Sequence, residues 1–191
     1  MNLAYPLILG SKSPRRKEIL QKAGFQFSTE AKDTEESYPD DLPKTEVAAF
    51  LSEKKANAFL GNSSYDNKIV LTADTTVLID GMLLEKPKDA PEAFAMLKKL
   101  SGRKHQVISG FAILCNGEVT SYSDETLVHF SEINDQEIEN YIKKHQPFDK
   151  AGAYGIQEGL GLTHIDRLEG SYFTVMGLPI HLVYKALTAI H

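Results

Sequence analysis

The chain has a single cysteine, Cys115, among its 191 residues. No intrachain disulfide can form, so burial and hydrogen bonding must hold the fold, and a reducing, cytoplasmic setting is the simplest expectation. No apolar run approaches the roughly 18 residues that suggest a membrane span. The N-terminal stretch MNLAYPLILGSKSPRRK places its cations after its apolar residues, the reverse of a secretory signal. Basic charge is not in excess either: 21 Lys and Arg stand against 26 Asp and Glu, a formal net charge of -5. Nucleic acid and membrane are therefore not expected partners, although a small, locally basic anion site remains compatible with that balance. The histidines, at 105, 129, 145, 164, 181 and 191, are scattered, without HExxH spacing or a neighbouring cysteine. There is no GxSxG, and Cys115 falls in a predicted strand with no identifiable base, so nucleophilic catalysis has little support.

What is present is the composition of an ordinary globular protein, 42% hydrophobic and 25% charged. The length suits one domain, residues 1–191, with two lobes. The pattern predicts a mixed α/β fold. A buried strand at 6–9 leads into a helix with Ser13 as N-cap and Pro14 in its first position, ending at Gly24. A short strand follows at 25–28, then an acidic loop, KDTEESYPDDLP, with no periodicity. A helix over 45–61 precedes the β-branched run KIVLTADTTVLID, a candidate central strand. Asp80-Gly81 and Asn116-Gly117 signal hairpins. Between them lies a helix over 90–100. NDQEIENYIKKH carries a capping box, Asn134 with Glu137, and a final helix starts near 177–179.

Three groups of polar residues stand out against this scaffold. In LILGSKSPRRKEIL, residues 7–20, two arginines sit where a helix begins, although a helix N-terminus already carries partial positive charge. Ser11, Ser13, Arg15, Arg16 and the free backbone N–H groups would together suit a polyphosphate; an ordinary capped helix with solvated arginines fits the same residues. Asp74 directly follows an apolar run, at the end of a predicted core strand, where α/β sheets place functional residues. It could bind a divalent cation or take a proton from water, or it could bond its own backbone in an Asx turn. Glu36, Lys55 and Lys86 acquire meaning only if they share one cleft. In DKAGAYGIQ, Asp149, Lys150 and Gln157 could face a nucleobase, or Asp149 and Lys150 could pair within a tight turn.

LGSKSPRRKEIL, LTADTTVLIDGMLLEKPKDAPEAFAMLKKLSGRKHQVISG and DKAGAYGIQEGLG…LEGSYFTVMGLPI, in this order, resemble the Maf nucleotide pyrophosphatases, with a match running over residues 7–187. The resemblance implies an elongated mixed β-sheet with flanking helices and a central cleft, similar to the inosine triphosphate pyrophosphatases. It further implies a hydrolase that converts a nucleoside triphosphate, with Mg²⁺ or Mn²⁺, to the monophosphate plus pyrophosphate. On this chain the family's catalytic aspartate falls on Asp74 and its phosphate-binding groups on Ser11, Arg15, Arg16, Lys55 and Lys86. Its metal ligands fall on Asp74 and Glu36 (with Glu35 a neighbouring candidate), and its base-proximal glutamine on Gln157. Arg16, Thr75 and Gln157 match the members acting on dTTP and UTP, whereas the 7-methyl-GTP branch has Trp and Gln at the first two of these positions. Modified pyrimidine triphosphates are the nearest alternative substrates. A non-catalytic, nucleotide-binding regulator of septum formation is the rival of another class. A homodimer is expected from the family alone.

Overall fold

The computed structural model describes residues 3–191; residues 1–2, the start of the stretch compared above with a secretory signal, lie outside it. The chain forms a mixed seven-stranded sheet flanked by helices. β1 (Leu7–Leu9) is buried throughout and runs parallel both to β2 (Phe27–Thr29) and to β3 (Ile69–Ile79). β3 is buried along most of its length, as expected of a central strand covered on both faces. β4 (Met82–Leu84) returns antiparallel on β3 through Asp80 and Gly81, both at positive φ. β5 (Lys104–Cys115) and β6 (Glu118–Phe130) are neighbours joined at Asn116 and Gly117, which also adopt positive φ. β7 (Ile165–Glu169) adds antiparallel to β6, and the sheet order is β2-β1-β3-β5-β6-β7 with β4 on β3.

Local chemistry accounts for the helices. α1 (Pro14–Lys22) starts with proline in its first turn and buries Ile19 and Leu20. Ser13 occupies the N-cap position but makes no side-chain cap bond; its backbone N–H donates to Ser11 Oγ at 3.2 Å. α2 (Val47–Asn57) is shorter than the 45–61 pattern predicts, because the chain turns at Ala58, whose carbonyl accepts from Lys32 Nζ at 2.9 Å. α3 (Ala90–Leu100) is capped by Asp89, which accepts from the Glu92 N–H. α4 (Asp135–His145) has both bonds of the predicted capping box, at 3.0 and 3.1 Å. α5 (Leu160–Thr163) and α6 (Tyr172–Met176) are short, and α7 (Ile180–Thr188) follows Pro179. Among the described residues, no helix is long and apolar enough to cross a membrane.

The chain divides into two compact units, one of Met1–Thr75, Ser109–Asp124 and Gly177–His191, the other of Thr76–Ile108 and Glu125–Met176. The first contains a core cluster of Ile8, Ala56, Phe59, Val70, Ala112 and Leu114. The second is built around Val77, Leu97, Leu100, Val128, Phe130, Ile138 and Tyr154.

Candidate active site

Within the first unit, α2 lies against the sheet at a distance that one glycine permits. A Cβ at Gly110 on β5 would come within 2.4 Å of the backbone of Ala48 and Ala49 on α2, so only glycine allows this approach. One buried bond sets the register: Thr72 Oγ1 of β3 donates to the Ser52 carbonyl of α2 at 2.6 Å. Alternation along a strand puts Asp74 on the same face as Thr72, and a turn of helix puts Lys55 on the same face as Ser52. The consequence is an ion pair: Lys55 Nζ donates to Asp74 Oδ2 at 2.5 Å. Asp74 Oδ1 accepts from the Thr75 N–H at 2.7 Å, a bond to the next residue within β3 and not the Asx turn considered above, so a backbone bond and the charged contact coexist on one carboxylate. Asp74 itself is buried and lies in the middle of β3, not at the strand end the sequence suggested, because the β-branched run after it continues the strand to Ile79.

The acidic loop supplies the second carboxylate. Lys55 Nζ also donates to Glu36 Oε1 at 2.9 Å, and it is Glu36, not Glu35, that meets the ammonium. Lys54, the preceding residue on α2, donates to the carbonyl and hydroxyl of Ser37 at 3.0 and 2.8 Å. Lys12 pairs with Asp33 at 2.7 Å. The loop has no sequence periodicity, yet lysines from elsewhere fasten it, and these long-range ties had no signal in the local pattern.

Thr75 faces the other way. Its hydroxyl shares a hydrogen bond with Ser109 Oγ at 2.8 Å and accepts from Arg16 Nη2 at 3.2 Å. Arg16 also donates through Nε to the Gly177 carbonyl at 2.8 Å, and through Nη1 to the Ala73 carbonyl at 2.8 Å and to Ser11 Oγ at 3.4 Å. Among the described residues, four of the guanidinium's five N–H groups thus meet protein acceptors. These bonds join α1, the middle of β3 and the turn before α7, a structural part beside the phosphate-binding one expected of Arg16. Burial lowers its pKa, opposed by the Asp74 charge, reinforced by Arg15 and opposed by Glu36. An arginine so placed remains a cation. Arg15 is half-buried on the same turn of α1.

Ser11, Arg15, Arg16, Glu36, Lys55, Asp74 and Thr75 therefore all belong to one unit. Lys86 and Gln157 belong to the other. Lys86 is exposed after β4. Gln157 lies in a segment pinned on both sides: the Tyr141 hydroxyl accepts from the Gly155 N–H and donates to Glu158, each at 3.2 Å. Its Oε1 is buried and has no hydrogen-bond partner among the described residues. The Asp149–Lys150 pair of the tight-turn alternative is present at 2.8 Å, and Lys150 also reaches Glu158 at 3.2 Å.

No group of three or more His, Cys, Asp and Glu side chains converges among the described residues. The donor set at Asp74 nevertheless fits a hard divalent ion of the Mg²⁺ type, which is commonly held by one or two carboxylates while substrate phosphates and water complete its shell.

Comparison with known proteins then decides the family, since residues 6–190 match the model of Maf-like proteins. The chain belongs to the Maf family. The resemblance read from the three motifs is borne out by relatives within that family. A "dTTP/UTP pyrophosphatase" of Porphyromonas gingivalis (strain W83) is 45% identical over 185 residues, covering 96% of this chain and 93% of the relative. Proteins of the same name from Phocaeicola vulgatus and Chlorobaculum tepidum are each 42% identical, covering 96% and 95% of this chain and 95% and 93% of the relatives. Among solved structures, the Staphylococcus aureus Ham1 protein aligns over 65% of this chain and 71% of its own, with 14% identity and a TM-score of 0.45. The α/β class of this Maf-family chain rests on its own sheet order and flanking helices.

Proposed function

We propose that the chain hydrolyses dTTP and UTP to the nucleoside monophosphate and pyrophosphate. The observation that carries this reading is a buried carboxylate, Asp74, in the middle of the core strand β3, held by Lys55 alongside Glu36 in the unit that also contains Arg15 and Ser11. The pyrimidine preference comes from the relatives' names, at up to 45% identity over nearly the whole chain.

In this reading Lys55 and Arg15 offset the triphosphate's charge and orient it. Asp74 orients a water and accepts its proton as the water oxygen bonds to the α-phosphorus. The bond from the α-phosphorus to the bridging oxygen breaks, and pyrophosphate leaves with the electron pair. Asp74 and Glu36 would hold a divalent cation, Mg²⁺ or Mn²⁺, whose chemistry there is to neutralise phosphate oxygens and stabilise the charge that spreads over them in the transition state. Positioning and electrostatics carry the acceleration, and no covalent intermediate is required.

The test is pyrophosphate release from dTTP, UTP, 5-methyl-UTP and the purine triphosphates by purified protein with Mg²⁺ or Mn²⁺. Turnover of dTTP and UTP is expected to lead the panel. Asp74→Asn keeps the side chain's shape and should lower turnover by at least about 10²-fold, as expected for the loss of a general base. A wild-type protein that binds these nucleotides without releasing pyrophosphate would favour the regulatory alternative.

A further inference from the structure

The charged groups around Asp74, in the middle of β3, are arranged for an exchange of ions. Lys55 Nζ lies 2.5 Å from Asp74 Oδ2 and 2.9 Å from Glu36 Oε1, so one ammonium bridges two carboxylates from separate parts of the chain. These two carboxylates are the ones that would hold a divalent cation. We propose that Lys55 is the resident counter-ion of the cation site, keeping bare divalent ions out until nucleotide arrives, and that it then passes to the phosphates. The proposal rests on the preceding assignment of Asp74 and Glu36 to the cation.

Each part follows from a contact in the structure. The ammonium is tethered to α2, whose position is fixed by the close approach at Gly110 and by the Thr72–Ser52 bond, so its effective concentration at the carboxylates is high. Glu36 is kept near by Lys54 holding Ser37, which does not involve the bridging amine. A hydrated divalent ion that enters alone must shed water and displace this ammonium, leaving Lys55 without its two carboxylate partners. An ion that enters with a triphosphate brings the ammonium a new anion. The carboxylates exchange one cation for another, the ammonium exchanges one anion for another, and no charge is stranded. Metal and nucleotide are thereby coupled, each strengthening the other's binding by the same factor.

The experiment titrates Mn²⁺ alone into wild type and into Lys55→Met, Lys55→Arg and Lys55→Met/Asp74→Asn, following free Mn²⁺ by electron paramagnetic resonance and checking folding by thermal melts. Lys55→Met retains the stem and removes the charge; it is expected to bind Mn²⁺ about tenfold more tightly than wild type, within the usual range of coupling between sites. Lys55→Arg should remain as weak as wild type, and the double variant should lose the gain. A parallel titration of wild type with α,β-imido-UTP should show tighter nucleotide binding with Mn²⁺ than without it. If wild type binds Mn²⁺ alone as tightly as Lys55→Met does, the counter-ion role is overturned and the cation assignment stands. The same holds if neither binds Mn²⁺ alone while wild type still shows the nucleotide coupling. If Mn²⁺ neither binds to any form nor affects nucleotide binding, the assignment of Asp74 and Glu36 to the cation fails, and the exchange with it.

Discussion

Arg16, expected from the sequence to bind phosphate, also has a structural part that the sequence does not announce. Next to Arg15 at the start of a helix, it reads as a phosphate ligand, because nothing local records that its partners lie as far away as Ala73, Thr75 and Gly177. Its replacement should therefore act first on stability. Arg16→Met is expected to cost about 2–3 kcal/mol, since hydrogen bonds to a charged group are lost and buried carbonyls are left unpaired. Urea unfolding at pH 7.5 with an unchanged m-value would read this directly. A change under about 0.5 kcal/mol, typical of surface positions, would return the guanidinium to solvent and to the phosphates. Asp74 and Lys55 were legible for a different reason. The carboxylate that closes an apolar run is visible in sequence, although the strand continues to Ile79, and the family motifs supplied the lysine. Their direct pairing, and the choice of Glu36 over Glu35, required the tertiary contacts.

At the scale of elements, what could be read depended on how local the chemistry is. The α4 capping box and the turns at Asp80-Gly81 and Asn116-Gly117 are set by neighbouring residues, and each occurs where the pattern placed it. β2 lies at 27–29, not 25–28, because Phe25 is consumed by the core before the strand begins. β7, α5 and α6 went unread, since each is at most 5 residues long and β7 gains its hydrogen bonds from β6, far back in the chain. The seat of α2 was equally hidden, because a glycine inside a strand does not say which helix it admits. Gly110→Ala tests that seat. A methyl within 2.4 Å of three backbone atoms cannot be relieved by a side-chain rotation, and about 3 kcal/mol or more is the expected loss, at the upper end of overpacking costs. If the variant still folds, hydrolysis should fall out of proportion to stability, as α2 carries Lys55. Thermal melts and turnover measured on the same preparation separate the two effects.

For the whole molecule, one contribution to the acid response comes from a buried histidine of the second unit, His105. His105 is buried with Nε2 2.7 Å from the Tyr154 hydroxyl and its Nδ1 without a hydrogen-bond partner among the described residues. Desolvation, aided by the charge of His129, pulls its pKa down to about 3. An unfolded histidine titrates near 6.5, so the unfolded chain takes up a proton that the folded one refuses. The stabilising contribution is complete above about pH 6.5 and is lost as pH falls toward 3. By pH 5 the loss from this one group is about 2 kcal/mol. His105→Gln should flatten the stability profile between pH 6.5 and 5, whatever its effect at pH 8. Urea midpoints across that window check the slope, and a variant as acid-sensitive as wild type would assign the effect to other groups.

The fastening of the acidic loop has a practical consequence. Lys32 and Lys54 hold it through amines donated to backbone carbonyls, and Lys12 holds it through a carboxylate. Acetic anhydride, which caps amines, would cut these moorings together without touching the polypeptide. A protease specific for glutamate should then clip the treated protein at 35–36 well before any strand, and saturating nucleotide with Mn²⁺ during acylation should shield the amine at Lys55 while leaving the moorings open to reagent.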